Sequence, residues 1–268
     1  NILTHLHKMA FIKETLIIAL AGLIFLTLTG PIRADTYDKE EVDGYLKHVY
    51  TTVETEKVPG EWVDMSPMSS LDGWHIYQNE SGQKTGWIVS EGVFTYDSDK
   101  AQGDGNKSLI SDEKFTNFEI KFDWKLSPNS NSGFMWGVNE SKDYDAPYLT
   151  GPEIQIIDAD IYAGDEKNQI HTTGSLYDMI APDHVMAKPA GEWNSYHIVI
   201  NHEENKGTVN HNGMIINRFP LHGTEWDEMI ENSKFKDISG FGKFKEGHLC
   251  LQDHPGVISY KNIKIRKL

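Results

Sequence analysis

The sequence has little cysteine and little positive charge. The first shortage limits how the fold can be stabilised, and the second limits which partners the protein can bind. Its 268 residues contain one cysteine, Cys250, so no intramolecular disulfide can form and a hydrophobic core must hold the fold. Asp and Glu number 40 against 25 Lys and Arg, which gives a formal net charge of −15 at pH 7. Because this charge repels nucleic-acid backbones and anionic membranes, we expect neither as a partner.

Several catalytic signatures are also absent from the chain. It contains no G-x-S-x-G nucleophile elbow, no H-E-x-x-H zinc motif, no Walker loop and no dinucleotide-binding glycine turn. Cys250 lies in a leucine-rich segment, which favours a core position over a nucleophile. No internal repeat is present, and beyond residue 60 the only helical signal is a short turn at Glu225–Glu231.

A long apolar run occurs near the N-terminus. Lys13 precedes Thr15–Gly30, which is almost wholly apolar, and Ala34 follows at a candidate cleavage point. The run is shorter than the ~20 residues that a membrane-spanning helix needs. Residues 1–34 instead have the form of a secretory signal peptide, with Met9 as a candidate start; the alternative is an uncleaved anchor. We therefore expect a periplasmic or secreted protein.

The rest of the chain divides into a leader segment and one domain. Apolar residues recur at helical spacing between Asp38 and Glu56, so residues 35–61 are interpreted as a leader with one amphipathic helix. Residues 62–268 consist of short runs rich in Val, Ile, Phe, Tyr and Trp, separated by Gly, Asn, Asp and Pro clusters. This pattern predicts an all-β fold, a two-sheet antiparallel sandwich or jelly roll.

The predicted strands follow one another at short intervals, and His211-Asn-Gly predicts a tight hairpin between two of them. Their bounds are 87–90, 92–96, 108–110, 118–126, 133–138, 153–157, 195–201, 207–210, 214–219, 248–252 and 256–268.

Two of the predicted strands place polar side chains together on one face. Strand side chains alternate, so Glu153 and Gln155 share one face while the isoleucines beside them share the other. Gln252 and His254 likewise fall on one side of the segment that follows Gly247. If both strands belong to one sheet, the four side chains line one concave face. A carboxylate with an imidazole is the usual pair for general acid–base catalysis.

A third polar segment, Asn129-Ser-Asn-Ser-Gly, leads into the strand that contains Phe134. Its side chains could bind sugar hydroxyls, because they offer both donors and acceptors. They could equally serve only as turn residues.

Nine short motifs, in this order along the chain, resemble the 3-keto-disaccharide hydrolase domain family, which is related to concanavalin A-like lectins and glucanases. The resemblance covers residues 67–268. The motifs are Leu71-Asp-Gly-Trp-His, Trp87-Ile-Val-Ser-Glu-Gly-Val, Asn131-Ser-Gly-Phe, Gly151-Pro-Glu-Ile-Gln-Ile-Ile-Asp, Gly174-Ser-Leu-Tyr-Asp, Pro189-Ala-Gly-Glu-Trp-Asn, His211-Asn-Gly, Gly247-His-Leu-Cys-Leu-Gln-Asp-His and Lys261-Asn-Ile-Lys-Ile-Arg.

The resemblance implies a concanavalin A-like jelly roll with a concave sugar site, and cleavage of glycosides whose sugar carries a ketone at C3. Such a ketone acidifies the proton on C2, so a base can remove it. The enolate then expels the C1 substituent by β-elimination, and water adds back. The resemblance also implies a partner oxidoreductase that supplies the keto sugar, and it allows for a divalent cation.

The resemblance and the strand pattern together give the predicted site. Glu153 and His254 are the predicted catalytic pair, and each is a candidate base or metal ligand. Tyr177 or Trp193 could stack on a sugar, although the sequence around Trp193 favours a core position. The predicted substrate-binding residues are Asn131, Gln155, Asp158, Tyr177, Gln252 and Asp253.

Two other hypotheses remain open at this point. An ordinary glycoside hydrolase needs two carboxylates flanking the bond. Glucanases of this fold type commonly carry E-x-D-x-x-E, whereas here Gln155 replaces the middle acid between Glu153 and Asp158. A lectin-like module without catalysis could use the same concave polar face.

Overall fold

The computed structural model describes residues 59–79 and 85–268, and two antiparallel β-sheets pack face to face within them. The predicted signal peptide over residues 1–34 and the predicted helix between Asp38 and Glu56 lie outside the described residues, so both stay predictions. Within the described ranges, no helix has the length and apolar character needed to cross a membrane.

The described residues form thirteen strands and one α-helix, with short 3₁₀ turns in the connections. They are β1 (Val63–Asp64), β2 (Trp74–Ile76), β3 (Thr85–Ser90), β4 (Val93–Ala101), β5 (Leu109–Phe115), β6 (Phe118–Leu126), β7 (Asn131–Val138), β8 (Glu153–Ile157), β9 (Asn194–Asn201), β10 (Lys206–His211), β11 (Met214–Phe219), α1 (Thr224–Glu231), β12 (Gly247–Leu251) and β13 (Val257–Lys267).

The strands divide into a larger and a smaller sheet. The eight-stranded sheet has the order β11-β10-β9-β6-β13-β4-β3, and β1 pairs additionally with β13. The five-stranded sheet has the order β2-β5-β12-β7-β8. Strands that are neighbours in space are often distant in the sequence, which is typical of a jelly-roll sandwich and confirms the predicted fold class.

The core lies between the two sheets because side chains alternate along each strand. In β6 the residues Phe118, Ile120, Phe122 and Trp124 are buried against the smaller sheet, while the charged residues between them face outward. The smaller sheet contributes residues such as Phe134 to the same core. Its other face is therefore left free to carry polar groups.

Most predicted strands are confirmed, three of them with the predicted bounds: β6, β8 and β11. The hairpin between β10 and β11 is also confirmed, since Asn212 and Gly213 have φ values of 50° and 91° and His211 pairs with Met214. A two-residue turn of this kind needs positive φ at both positions. The prediction missed β1 and β2, which have two and three residues and are too short to show alternation.

Candidate active site

A pocket of about 460 Å³ opens on the outer face of the five-stranded sheet. Asn131 of β7 and both Glu153 and Gln155 of β8 line its base, with Gln252 and His254 from the segment after β12 beside them. The structure therefore brings together the acid, the amides and the imidazole that the sequence placed on separate strands. They meet because β7 lies between β8 and β12 in the sheet.

The pairing of β7 with β8 fixes the position of the Glu153 carboxyl. Met135 pairs with Glu153, and Gly133 pairs with Gln155, so Gly133 lies beside both polar residues of β8. A Cβ atom at position 133 would overlap the carboxyl group of Glu153. Gly133 is thus required for the side chain of Glu153 to lie across β7.

The carboxyl of Glu153 is held without charge at neutral pH. Glu153 is only 7% exposed, and this burial raises the pKa of its carboxyl to about 8. The positive charge of Lys234 opposes the effect but does not overcome it. At pH 7 the group is therefore mainly protonated, so it can donate a proton.

Three amide side chains, those of Asn131, Gln155 and Gln252, line the same pocket as this carboxyl. Gln155 is 2% exposed, and its Oε1 accepts a hydrogen bond of 3.0 Å from the N–H of Ile156, which leaves the amide NH₂ as a donor. Asn131 Oδ1 and Gln252 Oε1 are buried and have no hydrogen-bond partner among the described residues. A buried carbonyl oxygen without a partner is costly, so both oxygens are suited to accept hydrogen bonds from a hydroxyl-rich ligand.

His254 lies at the exposed side of the pocket. Partial burial lowers the pKa of its imidazole, and the negative charge of Asp253 opposes that shift. Since the pKa lies below its usual range, His254 is mainly neutral at pH 7 and can accept a proton. The pocket thus contains one group that can donate a proton and another that can accept one.

Asp253 lines the pocket, but its carboxylate also holds a neighbouring loop. One oxygen accepts a hydrogen bond from the Ser108 hydroxyl, and the other accepts one of 3.1 Å from the N–H of Lys107. These contacts support a positioning role for Asp253 in addition to the predicted substrate contact.

Tyr177 also lines the pocket, as predicted, and its position depends on β8. Its backbone N–H donates a hydrogen bond of 2.9 Å to the carbonyl of Glu153. Its ring lies under the ammonium of Lys234, whose Nζ is 4.2 Å from the ring centroid. The sequence pattern did not indicate Lys234, Phe235 or Tyr148, which also line the pocket. Tyr148 lies in a short 3₁₀ turn and the other two follow α1, so none belongs to a strand whose alternation would indicate a direction.

Two of the named residues lie elsewhere. Asp158 is not among the residues that line the pocket; its carboxylate accepts hydrogen bonds from the N–H groups of Asn129 and Asp160, at 2.8 and 3.3 Å. It therefore supports the loop before β7 rather than the predicted substrate contact. Trp193 is half-buried, and it lies against the ammonium groups of Lys125 and Lys261 on the outer face of the larger sheet, neither in the core nor in this pocket.

The predicted metal ligands, Glu153 and His254, both line the pocket. Within residues 59–79 and 85–268, no three His, Cys, Asp or Glu side chains are grouped so as to hold a metal ion. Glu153 and His254 remain the candidate ligands, with amide oxygens as the other nearby donors. Metal binding therefore stays a prediction, and no chemical step is derived through it.

The fold and the pocket together define a class: a β-sandwich with a polar, ligand-sized cleft that presents a proton donor, a proton acceptor and free amide groups. A family model described as a 3-keto-alpha-glucoside-1,2-lyase-like domain matches residues 61–266. The chain belongs to this family, which confirms the resemblance seen in the sequence motifs.

Individual relatives agree with this assignment. A 3-keto-disaccharide hydrolase of Bacteroides thetaiotaomicron is 30% identical over 225 residues, which cover 74% of this chain and 76% of that protein. A crystal structure of a proposed glycosyl hydrolase from Parabacteroides distasonis has a TM-score of 0.69 and 29% identity, covering 77% of this chain and 94% of that one. Another from the same species, with a TM-score of 0.59, 21% identity and coverage of 78% and 100%, supports the fold alone.

Proposed function

We propose that the protein is a glycoside-cleaving enzyme whose substrate is a sugar with a ketone at C3. Its family and its relative in Bacteroides thetaiotaomicron support this substrate class. The observation that carries the proposal is the buried Glu153 carboxyl, which stays protonated near neutral pH in a pocket that also contains a neutral imidazole. Two groups whose environments move their pKa values apart are suited to act as acid and base in one reaction.

In the first step, His254 acts as the base. The C3 ketone acidifies the C2–H bond, so the neutral imidazole takes the C2 proton and the bonding electrons pass into an enolate across C2, C3 and the ketone oxygen. Its lowered pKa keeps His254 in the form that can accept this proton at pH 7.

In the second step, Glu153 acts as the acid. The enolate electrons form the C1=C2 double bond while the C1–O bond breaks, and Glu153 protonates the departing oxygen. Water then adds to C1 and gives its proton to the Glu153 carboxylate, while protonated His254 returns a proton to C2. The sum is one glycoside and one water consumed, with one keto sugar and one alcohol released, so both residues end in their starting forms.

The amide groups serve to hold the sugar during these steps. Asn131 Oδ1 and Gln252 Oε1 can accept hydrogen bonds from sugar hydroxyls, and the NH₂ group of Gln155 can donate one. Binding of this kind orients C2 toward the base and C1 toward the acid.

The test is incubation of the purified protein with 3-keto-trehalose and with a 3-keto-glucoside, with and without a chelator. We expect release of the keto sugar and the alcohol, and no product from the unoxidised glycosides. Product from unoxidised glucan would support an ordinary glycoside hydrolase instead. Sugar binding without product, with divalent metals supplied, would support a lectin-like module. Loss of activity with the chelator would show a metal requirement.

We also propose that the protein is exported, because residues 1–34 have the pattern of a signal peptide. The chemistry further requires an oxidoreductase that oxidises the sugar at C3 before this enzyme acts. Cell fractionation followed by N-terminal sequencing tests the first point. Protein outside the cytoplasm that starts near residue 35 supports export with cleavage, and protein that stays in the cytoplasm with its apolar run contradicts export.

A further inference from the structure

The proposed reaction creates a negative charge that the groups assigned above do not meet. When the C2 proton leaves, charge develops on the ketone oxygen at C3, and stabilising such an oxygen is often the largest contribution of an active site. Glu153 and His254 are neutral before the reaction. Among the described residues that line the pocket, Lys234 is the single lysine or arginine.

The backbone of Lys234 is anchored on two sides. Its N–H donates a hydrogen bond of 2.7 Å to one carboxylate oxygen of Asp178, whose other oxygen lies 2.6 Å from Nε2 of His171. The next residue, Phe235, is 3% exposed and stacks on Phe241 with 3.9 Å between ring centroids. The segment after α1 is therefore fixed at the edge of the pocket, although it has no regular secondary structure.

The side chain of Lys234 is directed by aromatic rings. Its Nζ lies 4.2 Å from the ring centroid of Tyr177 and 5.1 Å from that of Phe235. Contacts of this kind hold an ammonium in place without neutralising its charge. Tyr177 is in turn hydrogen-bonded to the backbone of Glu153, and the charge of Lys234 acts on the Glu153 carboxyl. The ammonium is thus held close to the reacting groups.

We propose that the Lys234 ammonium stabilises the enolate oxygen that forms at C3, and that Asp178 is the residue that positions it. This inference rests on the proposed function. As His254 takes the C2 proton, the C–H electrons form the C2=C3 double bond and the C=O π electrons move onto oxygen. The ammonium donates a hydrogen bond to that oxygen, and no oxidant or reductant is consumed.

The test isolates enolate formation from cleavage. The probe is 1,5-anhydro-3-keto-glucitol, whose C1 carries no exocyclic oxygen and which therefore has no alcohol to release. It is incubated in D₂O, and loss of its C2–H signal is followed by NMR. Lys234→Met is expected to slow this exchange by ~10²–10³-fold. Lys236→Met is the matched control, since Lys236 is an exposed lysine of the same segment that does not line the pocket. Equal exchange rates in the two variants would overturn the inference.

The experiment distinguishes a wrong role for Lys234 from a wrong proposed function. If the wild-type protein neither exchanges the C2 proton nor cleaves a 3-keto-glucoside, the proposed function itself is wrong. If wild type does both and Lys234→Met matches Lys236→Met, only the role of Lys234 is wrong. Thermal unfolding of both variants shows whether a slow rate reflects loss of fold.

The positioning role of Asp178 has its own readout. Asp178→Ala removes the acceptor for the Lys234 N–H, so we expect slower C2 exchange. We also expect the fall of activity at alkaline pH to move to higher pH, as in Lys234→Met, because the charge of Lys234 no longer lowers the pKa of Glu153. Asp178→Asn retains an acceptor oxygen and is expected to restore most of the rate. An alanine variant with wild-type exchange and an unchanged alkaline limb would overturn the positioning role.

Discussion

At the scale of single residues, the account depends on a carboxyl that is kept neutral by burial. Glu153 could be recognised from the sequence as a polar residue on a strand between isoleucines, but its protonation state could not. That state depends on how deeply the pocket buries the side chain and on the distance to Lys234, which only the folded chain defines. The same carboxyl would be an ordinary anion at an exposed position.

A change of Glu153 to Gln tests the acid role directly. We expect cleavage of a 3-keto-glucoside with an alkyl leaving group to fall by ~10²–10⁴-fold, because the departing oxygen is no longer protonated. With a 4-nitrophenyl leaving group, which departs without a proton, the loss should be less than about tenfold. Equal losses for both substrates would contradict the role.

The pH dependence gives a second measure of the same group. The raised pKa means that Glu153 is protonated below about pH 8, so activity should fall as the pH rises through about 8. His254 must be neutral to accept the C2 proton, so activity should also fall at low pH, where the imidazole becomes protonated. Because the pKa of His254 is lowered, this fall should occur below the usual pKa range of histidine. In Glu153→Gln, the alkaline limb of kcat/KM should disappear while the acidic limb remains.

At the scale of the elements, the site depends on the pairing of β7 with β8 and β12. Alternation alone predicted that Glu153 and Gln155 share a face, and this succeeded because β8 is regular. The place of β7 between the two polar segments involves pairing between distant parts of the chain, which a single sequence does not reveal. Lys234 and Tyr148 were missed because they lie outside the strands and α1, where no alternation indicates a direction.

The contact between Gly133 and Glu153 predicts an effect of a single methyl group. Gly133→Ala forces a Cβ against the buried carboxyl, so we expect a loss of ~1–3 kcal/mol in unfolding free energy together with lost activity. In the Glu153→Ala background the same change should cost much less stability, because the overlapping group is gone. Urea unfolding of the four proteins measures the coupling, and additive costs would contradict the contact.

At the scale of the whole molecule, the pocket lies on the smaller sheet, whereas the most strongly shifted histidine, His211, lies in β10 of the larger sheet. The prediction of two antiparallel sheets held because regular strands with turn signals dominate residues 62–268. What the sequence did not reveal is that His211, which is fully buried, and His202, which is half-buried, both have buried ring nitrogens with no hydrogen-bond partner among the described residues. His211 packs against Trp124 and Tyr196 at the hairpin end of the larger sheet.

The buried ring nitrogens of these histidines predict a loss of stability in acid. Burial, with a smaller effect from Lys188, lowers the pKa of His211 to about 3, so the unfolded chain binds its proton more strongly than the folded chain does. Stability should therefore fall as the pH drops from about 6.5 toward 3, by at most about 1.4 kcal/mol per pH unit from this group. His211→Leu should flatten the dependence seen in urea unfolding between pH 7 and 4.5. The control His184→Leu, at an exposed position, should leave the pH dependence of the unfolding free energy unchanged. Equal slopes of unfolding free energy against pH in the two variants would contradict the role of His211.

The central claim is that cleavage begins with removal of the C2 proton inside this pocket, and the hydrogen at C2 reports on it most directly. A 3-keto-glucoside that carries deuterium at C2 is cleaved in ordinary water, and the released keto sugar is examined at early times by mass spectrometry, with an enzyme-free incubation of the same sugar as control. The account predicts a primary isotope effect on kcat/KM. It also predicts that the product loses its deuterium, because the exposed imidazolium of His254 exchanges the abstracted deuteron with water before it returns a proton to C2. A product that keeps its deuterium, formed at the same rate as from the unlabelled glycoside, would contradict it.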